Sequence, residues 1–320
     1  MDRSVLTIAT GKKSYFDMAC AMARSVAITN PGLPVYIVTD LPWTTPASLR
    51  HVHLIRVNPE DLPSGFSAKL HLDRFLQTPF TLFIDADCLV VGSLEPAFRR
   101  FRGLPVGVLG LPLETGEWCG DIEKTRAKLN LPHVIMLNGG VYYLEQGRAV
   151  HEVLRRAREL EADYDKLGFV RLRGQANEEI LVSCSVVERG LGHVAGTGEI
   201  YADFQWWPKV VKMNVDTGEV ILENPNLPDV RHQSRYPATV ARPTIIHFLG
   251  HHVESPLYRR CKATFFLKSY RIPLPHFFAS MMTATAFIKE FFRCALRPVY
   301  RKAFGIRKIR PVANRLIIGE

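Results

Sequence analysis

Residues 80–91, with the sequence FTLFIDADCLVV, decide the fold of this 320-residue chain. Two apolar runs of strand length frame the aspartates Asp85 and Asp87. Burying two carboxylates without a partner costs several kcal/mol, so a divalent cation with oxygen ligands, Mg²⁺ or Mn²⁺, is the expected partner. The alternative is that the pair caps a loop or forms ion pairs with Lys69 or Arg74.

Strand-like and helical patterns alternate on both sides of this segment. Residues 4–9 are β-rich, residues 15–29 show a helical period, and residues 34–39 form a second buried-strand pattern. Such a βαβ unit takes a right-handed parallel crossover, and the continued alternation predicts an α/β sheet with helices on both faces. Further strands are predicted at 53–57, 106–109, 135–144 and 241–248, helices at 68–76, 149–162 and 178–185, and a hairpin at 210–222.

Polar residues that follow the predicted strands are the first candidates for a site. Ligands of open α/β sheets bind beyond the carboxyl ends of the strands. Thr10, Asp40, Asp85, Asp87 and His247 each follow a strand-like run. A single histidine in this position is, by itself, more typical of a core residue with satisfied hydrogen bonds than of a metal ligand.

In its context, the Asp85-Ala86-Asp87 segment resembles the D-x-D segment of nucleotide-sugar glycosyltransferases with the GT-A fold, especially family 8 and its glycogenin-like relatives. The resemblance runs in order over residues 4–252. It implies a GT-A mixed sheet flanked by helices and transfer of a sugar from a nucleoside-diphosphate donor, expected to be UDP-linked, to a glycan or lipid-linked acceptor. The matching segments are VLTIAT (5–10), SAKL (67–70), LNGGV (137–141), NEEIL (177–181) and IHFLG (246–250).

The resemblance also implies a metal site and a donor site. Asp85, Asp87 and His247 would hold Mn²⁺ or Mg²⁺, which neutralises the charge that grows on the leaving β-phosphate. Glycine allows a backbone to approach a sugar closely because it has no Cβ, although the glycines after Asn138 also fit a simple turn between two strands. The implied donor-binding positions are Ala9, Thr10, Tyr15, Asn138, Gly139 and Gly250.

Two residues are expected to act on the donor sugar or its phosphate. Lys69 stands where these enzymes carry a Lys or Arg that faces the donor; the alternative is an exposed helix charge. Glu178 and Glu179 fall on the family's acidic step, and since adjacent helix residues do not share a face, only Glu178 is expected to point into the site. Nucleophilic, stabilising and general-base roles for it stay open, and the likeness to family 8 implies retention of configuration.

The chain departs from the family pattern H-F-x-G-x-x-K-P-W. The lysine that meets the donor diphosphate would fall at Val253. Either His251, His252 or Arg259 contacts the donor diphosphate in place of this lysine, or the donor binds in a different position. The acidic step also reads Glu-Glu in place of Asp-Gln. Downstream, an aromatic cluster predicts either stacking on an acceptor sugar or an ordinary core patch; it comprises Tyr201, Phe204, Trp206 and Trp207.

The charge divides the chain into a catalytic domain, residues 1–258, and a basic tail, residues 259–320. The tail carries 14 of the 41 Lys and Arg residues but only two acidic residues. Residues 276–304 show an apolar helical stripe with interleaved cations, which fits an anchor on an anionic membrane surface; the alternative is a helix packed on the domain with a solvated basic face. No nucleic-acid-binding signature accompanies the charge.

The remaining sequence features predict a cytoplasmic protein, peripheral on the inner face of the membrane. No apolar run reaches the length of a membrane span, no signal-peptide pattern is present, and the six scattered cysteines are typical of reduced thiols. Two rival functions stay open. One is a nucleotidyltransferase that makes an activated sugar, which Thr10 to Lys13 matches only faintly; the other is a non-catalytic sugar-binding or membrane-scaffold protein.

Overall fold

A six-stranded mixed sheet forms the centre of the structure, a computed structural model that describes residues 2–191, 198–207, 209–224 and 239–305. The strand order is β3-β2-β1-β4-β7-β6. Strands β1 to β4 run parallel, and β7 is antiparallel to both its neighbours, β4 and β6. The strands are β1 (Arg3–Ile8), β2 (Val35–Thr39), β3 (Val52–Arg56), β4 (Phe80–Ile84), β6 (Val106–Leu113) and β7 (Val134–Glu145).

Helices cover both faces of this sheet, as the sequence predicts. Successive strand residues point to opposite faces, so Val5 packs in one buried apolar cluster and Leu6 in the other. The Val5 cluster includes side chains of α1 and α2, and the Leu6 cluster includes side chains of α3, α4, α5 and α6. The helices are α1 (Lys13–Thr29), α2 (Glu95–Phe101), α3 (Ile122–Leu129), α4 (Arg148–Ala162), α5 (Tyr164–Leu167) and α6 (Glu178–Glu188).

Two small three-stranded sheets lie beside the central one. In the first, the order is β5-β12-β8, with β12 antiparallel to β5 and parallel to β8. In the second, β9 and β10 form the predicted hairpin, and β11 pairs with β10. These strands are β5 (Cys88–Val90), β8 (Tyr201–Asp203), β9 (Lys209–Asn214), β10 (Glu219–Glu223), β11 (Val240–Ala241) and β12 (Ile245–His247).

Two predicted elements differ in detail. The helix expected at 68–76 is a 3₁₀ helix, Gly65–Arg74, which ends with an i to i+3 bond from Phe75 N to Leu72 O of 3.1 Å. The strand expected at 241–248 is broken between β11 and β12. Pro243 lies in the break, and it has no N–H to donate to a ladder. Shorter 3₁₀ helices cover Ala47–Leu49 and Gly250–Glu254.

Two helices, α7 (Pro256–Ser269) and α8 (Pro275–Phe304), complete the described chain. The predicted division after Tyr258 falls inside α7. This helix packs on α1, and its Cys261 and Phe265 are buried in an apolar cluster with residues of β5 and β12. The change from packed to exposed chain therefore lies between α7 and α8. Residues 306–320 of the predicted tail lie outside the described residues.

Helix α8 exposes its apolar residues to solvent. It contacts α7, and among its described side chains only Ala279 and Thr283 are buried. None of the helices in the described ranges combines the length and apolar character that crossing a bilayer requires. We call the exposed row predicted from the helical period the apolar stripe; it consists of Phe277, Met281, Ala284, Ile288, Phe291, Ala295 and Val299, all exposed.

Candidate functional site

The small sheet β5-β12-β8 brings distant parts of the sequence together. His247, the last residue of β12, is in register with Cys88 of β5 on one side and with Asp203 of β8 on the other. Phe248 N donates to Asp87 O at 3.0 Å, which ties the turn after β4 to the end of β12. The backbone alone therefore places an imidazole, two carboxylates and a thiol at one sheet edge.

His247 bridges two carboxylates. Its Nε2 lies 3.1 Å from Asp87 Oδ1, and its Nδ1 lies 2.8 Å from Asp203 Oδ1 and 2.5 Å from Tyr201 Oη. Burial lowers the pKa of His247, but the charges of Asp87 and Asp203 outweigh burial and hold it well above its ordinary value. For Asp87 the two effects act in the opposite directions. Burial raises the pKa of this carboxyl, but the neighbouring imidazole of His247 outweighs burial and holds the pKa below its ordinary value. A cation at Asp87 would compete with the proton on Nε2.

Asp203 is a site residue that the sequence analysis missed. Its side chain is fully buried, and besides His247 it accepts hydrogen bonds from Asn138 Nδ2 at 3.1 Å and from Tyr201 Oη. A carboxylate on the Nδ1 side of a histidine fixes the tautomer that leaves Nε2 for a metal, an arrangement that metal-binding histidines commonly have. The sequence signal for Asp203 is an aspartate at the end of a strand. This strand, β8, has only three residues, which is too short to give a periodic pattern.

Lys69 joins two further carboxylates. Its Nζ lies 2.7 Å from Asp85 Oδ2 and 2.9 Å from Glu178 Oε1, and it donates to Gly139 O at 2.9 Å. Burial lowers the pKa of Lys69, but the two carboxylates outweigh it and raise the value above the ordinary range. Burial raises the pKa of Asp85 to about 6, against the opposing charge of Lys69. The ion pair with Lys69, one alternative partner for Asp85, is thus present, and Lys69 is not an exposed helix charge.

The glycines at 139 and 140 make room for side chains of the site itself. A Cβ on Gly139 would lie 2.2 Å from Glu178 Oε1, and one on Gly140 would lie 3.0 Å from His247 Nδ1. Both residues are within β7, so the alternative of a simple turn between two strands is wrong. Asn138 Oδ1 accepts from Gly140 N at 2.9 Å, and contact of this segment with a donor sugar stays a prediction.

Glu178 and Glu179 both reach Gly139, and the prediction that only Glu178 points into the donor site stays a prediction. Lys69 connects Glu178 to Gly139, and Glu179 Oε1 accepts from Gly139 N at 2.8 Å. Both glutamates are in the first turn of α6, where Asn177 caps the helix by accepting from Glu179 N at 3.1 Å. Glu178 Oε2 is buried and has no hydrogen-bond partner among the described residues.

Replacing Glu179 with Gln is expected to stabilise the protein increasingly as the pH rises. Burial and the charge of Glu178 raise the pKa of Glu179 to about 7, from an ordinary value of 4.5. A carboxyl with a raised folded pKa contributes stability below its unfolded pKa and loses it as pH rises through its folded pKa. The wild-type protein should therefore lose on the order of 2–3 kcal/mol relative to Glu179→Gln between pH 4.5 and 7.5.

Urea unfolding at the two pH values measures this difference. Glu159→Gln, on the surface of α4, is the matched control and should show little change between them. An equal stability difference between wild type and Glu179→Gln at both pH values would contradict the raised pKa.

The residues at this edge fit a divalent cation. Ligand atoms of Asp87, Cys88 and His247 all lie within 4.8 Å of one another. Burial, with the charges of Asp87 and Asp85, holds the pKa of Cys88 well above its ordinary value. Mg²⁺ and Mn²⁺ prefer oxygen and imidazole ligands to a thiol, so the carboxylate of Asp87 and the imidazole of His247 are the expected donors. Of the predicted ligands, Asp87 and His247 meet directly, whereas Asp85 contacts Lys69.

Two of the predicted donor positions lie at the edge of the central sheet where Asp85 lies. Ala9 and Thr10 follow β1, and Asp85 follows the parallel neighbour β4. Ala9 is buried, Thr10 is half-buried, and Tyr15 on α1 is exposed. Gly250 has a φ of +63°, a left-handed conformation that favours glycine. The backbone conformation alone therefore explains a glycine at this position, and the donor contact stays a prediction.

The aromatic cluster is mainly part of the core. Phe204 and Trp207 are buried in the apolar cluster that contains β12, and Trp206 is half-buried. Tyr201 is also buried, and its hydroxyl belongs to the His247 network. Tyr201, Phe204 and Trp207 are therefore core residues, as one of the two interpretations predicts, and their buried rings are not available to stack on an acceptor sugar.

Comparison with solved structures identifies the fold. The chain resembles the galactosyltransferase LgtC, crystallised with donor and acceptor sugar analogues, with 15% identity, a TM-score of 0.51, and coverage of 84% of this chain and 96% of LgtC. It also resembles the glycosyltransferase GlyE of Streptococcus pneumoniae, with 14% identity and a TM-score of 0.50, over 90% of this chain and 64% of GlyE. No protein-family model and no curated protein sequence matches it.

The chain therefore has the GT-A fold of nucleotide-sugar glycosyltransferases, with a mixed sheet flanked by helices. The predicted fold class is confirmed, including a helix at the carboxyl end of the described chain.

Proposed function

We propose that the protein is a metal-dependent glycosyltransferase, hexosyltransferase-like, which moves a sugar from a UDP-linked donor to a glycan or lipid-linked acceptor. One observation carries this proposal: Asp87 and His247 meet where the small sheet joins the turn after β4, and Asp203 holds the other side of the imidazole. Lys69 forms ion pairs with both Asp85 and Glu178, so Glu178 is linked to the Asp85-Ala86-Asp87 segment through this lysine. The fold shared with LgtC and GlyE supports sugar transfer in general.

The chain's own residues divide the chemistry between them. Asp87 and His247, with Asp85 as the third predicted ligand, would hold Mn²⁺ or Mg²⁺, which when bound supplies Lewis-acid neutralisation of the leaving diphosphate. Lys69 is a permanent cation that holds Oε1 of Glu178. Oε2 of Glu178 is the buried acceptor that can face the sugar, as nucleophile or as stabiliser of a positive anomeric centre. Glu179, with a pKa of about 7, can exchange a proton near neutral pH.

The proposal includes a place of action, the inner face of a membrane. The apolar stripe of α8 is exposed, and the cations interleaved with it favour an anionic surface. The expected partners are therefore the nucleotide-sugar donor, the acceptor and the membrane surface, without nucleic acid.

Release of free UDP from a panel of UDP-sugars tests this function. With Mn²⁺ we expect slow hydrolysis of one donor in the absence of an acceptor, because water can take the acceptor's place. EDTA should reduce the rate to background, and excess Mn²⁺ should restore it. Asp87→Asn is expected to abolish the metal-dependent rate, whereas Asp165→Asn, which changes an exposed carboxylate of α5, should leave it unchanged.

The same assay separates the rival functions. A nucleotidyltransferase would form a sugar nucleotide from a nucleoside triphosphate and release pyrophosphate, not UDP. A sugar-binding or scaffold protein would bind a donor without releasing product. Either result would overturn the proposed function.

A further inference from the structure

Helix α8 has a second face, which lies opposite the apolar stripe. At about 100° of rotation per residue, Arg293, Arg297 and Tyr300 lie roughly 160° around the helix from the centre of the stripe. Ala279, which is buried where α8 contacts α7, lies on the same side as these three residues. This face therefore turns toward the rest of the protein.

The second face of α8 and the segment after His247 enclose a concave surface, which we call the α8 pocket. Two guanidinium groups, an imidazole and a phenol line it beside one leucine, and none of the lining residues is acidic. The cavity has a volume of about 460 Å³ and is lined by His251, Arg293, Leu296, Arg297 and Tyr300. None of the roles proposed for the catalytic site uses the residues that α8 contributes to it.

Two neighbouring imidazoles connect the α8 pocket to the candidate metal site. The ring centroid of His251 lies 4.1 Å from that of His252, and His252 packs edge-on against Phe204 with a centroid distance of 5.4 Å. Burial lowers the pKa of His252, and the charge of Asp203 acts against burial, so this ring lies within the field of the buried carboxylate. His251 stands four residues after His247, a chain path of at most about 14 Å. One substrate can therefore contact both places.

The catalytic site has more carboxylates than cations. Its described cations, Lys69 and His247, each pair with two carboxylates. A divalent cation would add positive charge, but a nucleoside-diphosphate sugar brings a negatively charged diphosphate of its own. Further positive charge close to the site would offset this repulsion, and the α8 pocket supplies it. The carboxylates are those of Asp85, Asp87, Glu178, Glu179 and Asp203.

The two arginines of the pocket are able to hold one phosphate together. They are four residues apart on α8 and so lie on one face, and each guanidinium offers paired N–H donors in the geometry that phosphate oxygens accept. Arg293 donates to Glu290 Oε1 at 2.6 Å, but both side chains are exposed, and such a pair is weak enough to exchange for an anion. In the part of the chain that the structure describes, no carboxylate forms an ion pair with Arg297.

We propose that the α8 pocket binds a phosphate group of a substrate that occupies the sugar-transfer site. This inference deepens the proposed function and rests on it for the identity of the substrate. The phosphate belongs either to the nucleoside-diphosphate donor or to a phosphorylated acceptor, since both offer the same oxygen acceptors. In both cases Arg293 and Arg297 are binding residues that neutralise the phosphate and take no part in bond breaking.

Binding of soluble probes to the full chain tests the pocket. The probes are UDP, uridine and glucose 6-phosphate, each titrated in the presence of Mn²⁺ and followed by calorimetry. Arg293→Gln/Arg297→Gln should weaken binding of a phosphate-bearing probe on the order of 10–100-fold, since charge-assisted hydrogen bonds are lost, and should leave uridine binding unchanged. Arg301→Gln/Lys302→Gln is the matched control, because it removes the same charge from the same helix outside the pocket lining.

The probes distinguish the two sources of the phosphate. Weaker binding of UDP assigns the pocket to the donor. Unchanged binding of UDP, with weaker binding of glucose 6-phosphate to the UDP-bound protein, assigns it to a phosphorylated acceptor. Equal losses in the two double variants would indicate a general effect of surface charge and would overturn the proposal. So would unchanged binding of both phosphate-bearing probes.

NMR of the His251 ring locates the phosphate without activity or metal. The signals of this ring are identified by their absence in His251→Asn. Inorganic phosphate should shift them in the wild type and in Arg301→Gln/Lys302→Gln, but not in Arg293→Gln/Arg297→Gln. A shift of the same size in all three proteins would place the anion outside the pocket and contradict the proposal.

Failure of this inference and failure of the proposed function give different results. If the wild type releases UDP from a donor with Mn²⁺, and the pocket variant binds every probe as the control variant does, the glycosyltransferase stands and the pocket is refuted. If the wild type releases no UDP, and phosphate still shifts His251 only when both arginines are present, the anion site stands and the glycosyltransferase is refuted.

Discussion

Replacing Lys69 with Met is expected to lower the free energy of unfolding by about 3–5 kcal/mol and to abolish donor hydrolysis. The side chain keeps its length and apolar stem, but Asp85 and Glu178 lose the cation that lies within 2.9 Å of both. Removing one partner of a buried ion pair leaves an uncompensated buried charge, which costs more than the pair itself contributes. Urea unfolding of wild type and variant measures the stability difference directly.

The loss in Lys69→Met should also depend on pH. Burial already raises the pKa of Asp85 to about 6 against the opposing charge of Lys69, and without that charge the carboxyl pKa rises further. A carboxyl with a raised folded pKa loses stability as the pH increases, so the variant should be much less stable at pH 8 than at pH 5. A variant equally stable at both would contradict this reasoning.

Two further variants keep the Lys69 experiment decisive. Lys69→Met/Glu178→Gln removes one of the two orphaned carboxylates and should regain part of the lost stability, even if the single variant is too unstable to purify. Lys124→Met removes an exposed lysine from α3 and should change stability little, because its partner Asp121 stays solvated. If the double variant is no more stable than Lys69→Met, the coupling between Lys69 and Glu178 is absent.

The positions of the strand ends could be predicted from the sequence because each depends on a local pattern. Asp85 and Asp87 interrupt a long apolar run, so the parallel-sheet rule places them beyond the carboxyl end of β4. His247 also closes an apolar run, but its strand β12 belongs to the small sheet and pairs antiparallel with β5. The α/β class follows from the alternation of periods and needs no distant contact. The residues themselves therefore predict which elements carry the site. The resemblance adds which of the residues at the strand ends act together.

The contacts between those elements could not be predicted, since they depend on register and packing. Asp203 ends a three-residue strand, too short for a periodic signal, and it meets His247 only because β8 pairs with β12 in one particular register. Cys88 joins the site in the same way, from the neighbouring β5. The convergence of Glu178 and Glu179 depends on their position in the first turn of α6 around Gly139. Helical periodicity places them on different faces, yet both reach Gly139, Glu178 through Lys69 and Glu179 by accepting from Gly139 N.

The exposure of α8 was likewise beyond the sequence. An amphipathic period is the same whether the apolar stripe packs on a domain or faces solvent. Only the observed contact with α7, through the side that contains Ala279 and Thr283, shows that the stripe faces outward.

Replacing Asp203 with Asn is expected to weaken Mn²⁺ binding by about 10–100-fold while the protein stays folded. The carboxylate accepts from His247 Nδ1 at 2.8 Å, and this bond orients the ring so that Nε2 faces Asp87. Asparagine has nearly the same shape, but it lacks the negative charge and can turn its NH₂ group toward Nδ1, which favours the wrong tautomer. Mn²⁺ titration followed by electron paramagnetic resonance gives the affinity without any need for turnover.

The role of Asp203 as a positioning residue differs from a purely structural role in what the titration shows. A structural role would lower the melting temperature of Asp203→Asn and leave the Mn²⁺ affinity of the folded fraction unchanged, and that result would contradict the prediction. Tyr201→Phe removes only the hydroxyl that contacts Asn138, Asp203 and His247, so it should weaken Mn²⁺ binding less than Asp203→Asn does. Because the phenyl ring preserves the packing of β8, this variant also tests the network if Asp203→Asn does not fold. Asp165→Asn controls for the loss of one negative charge, since an exposed carboxylate paired with Arg171 cannot act on His247.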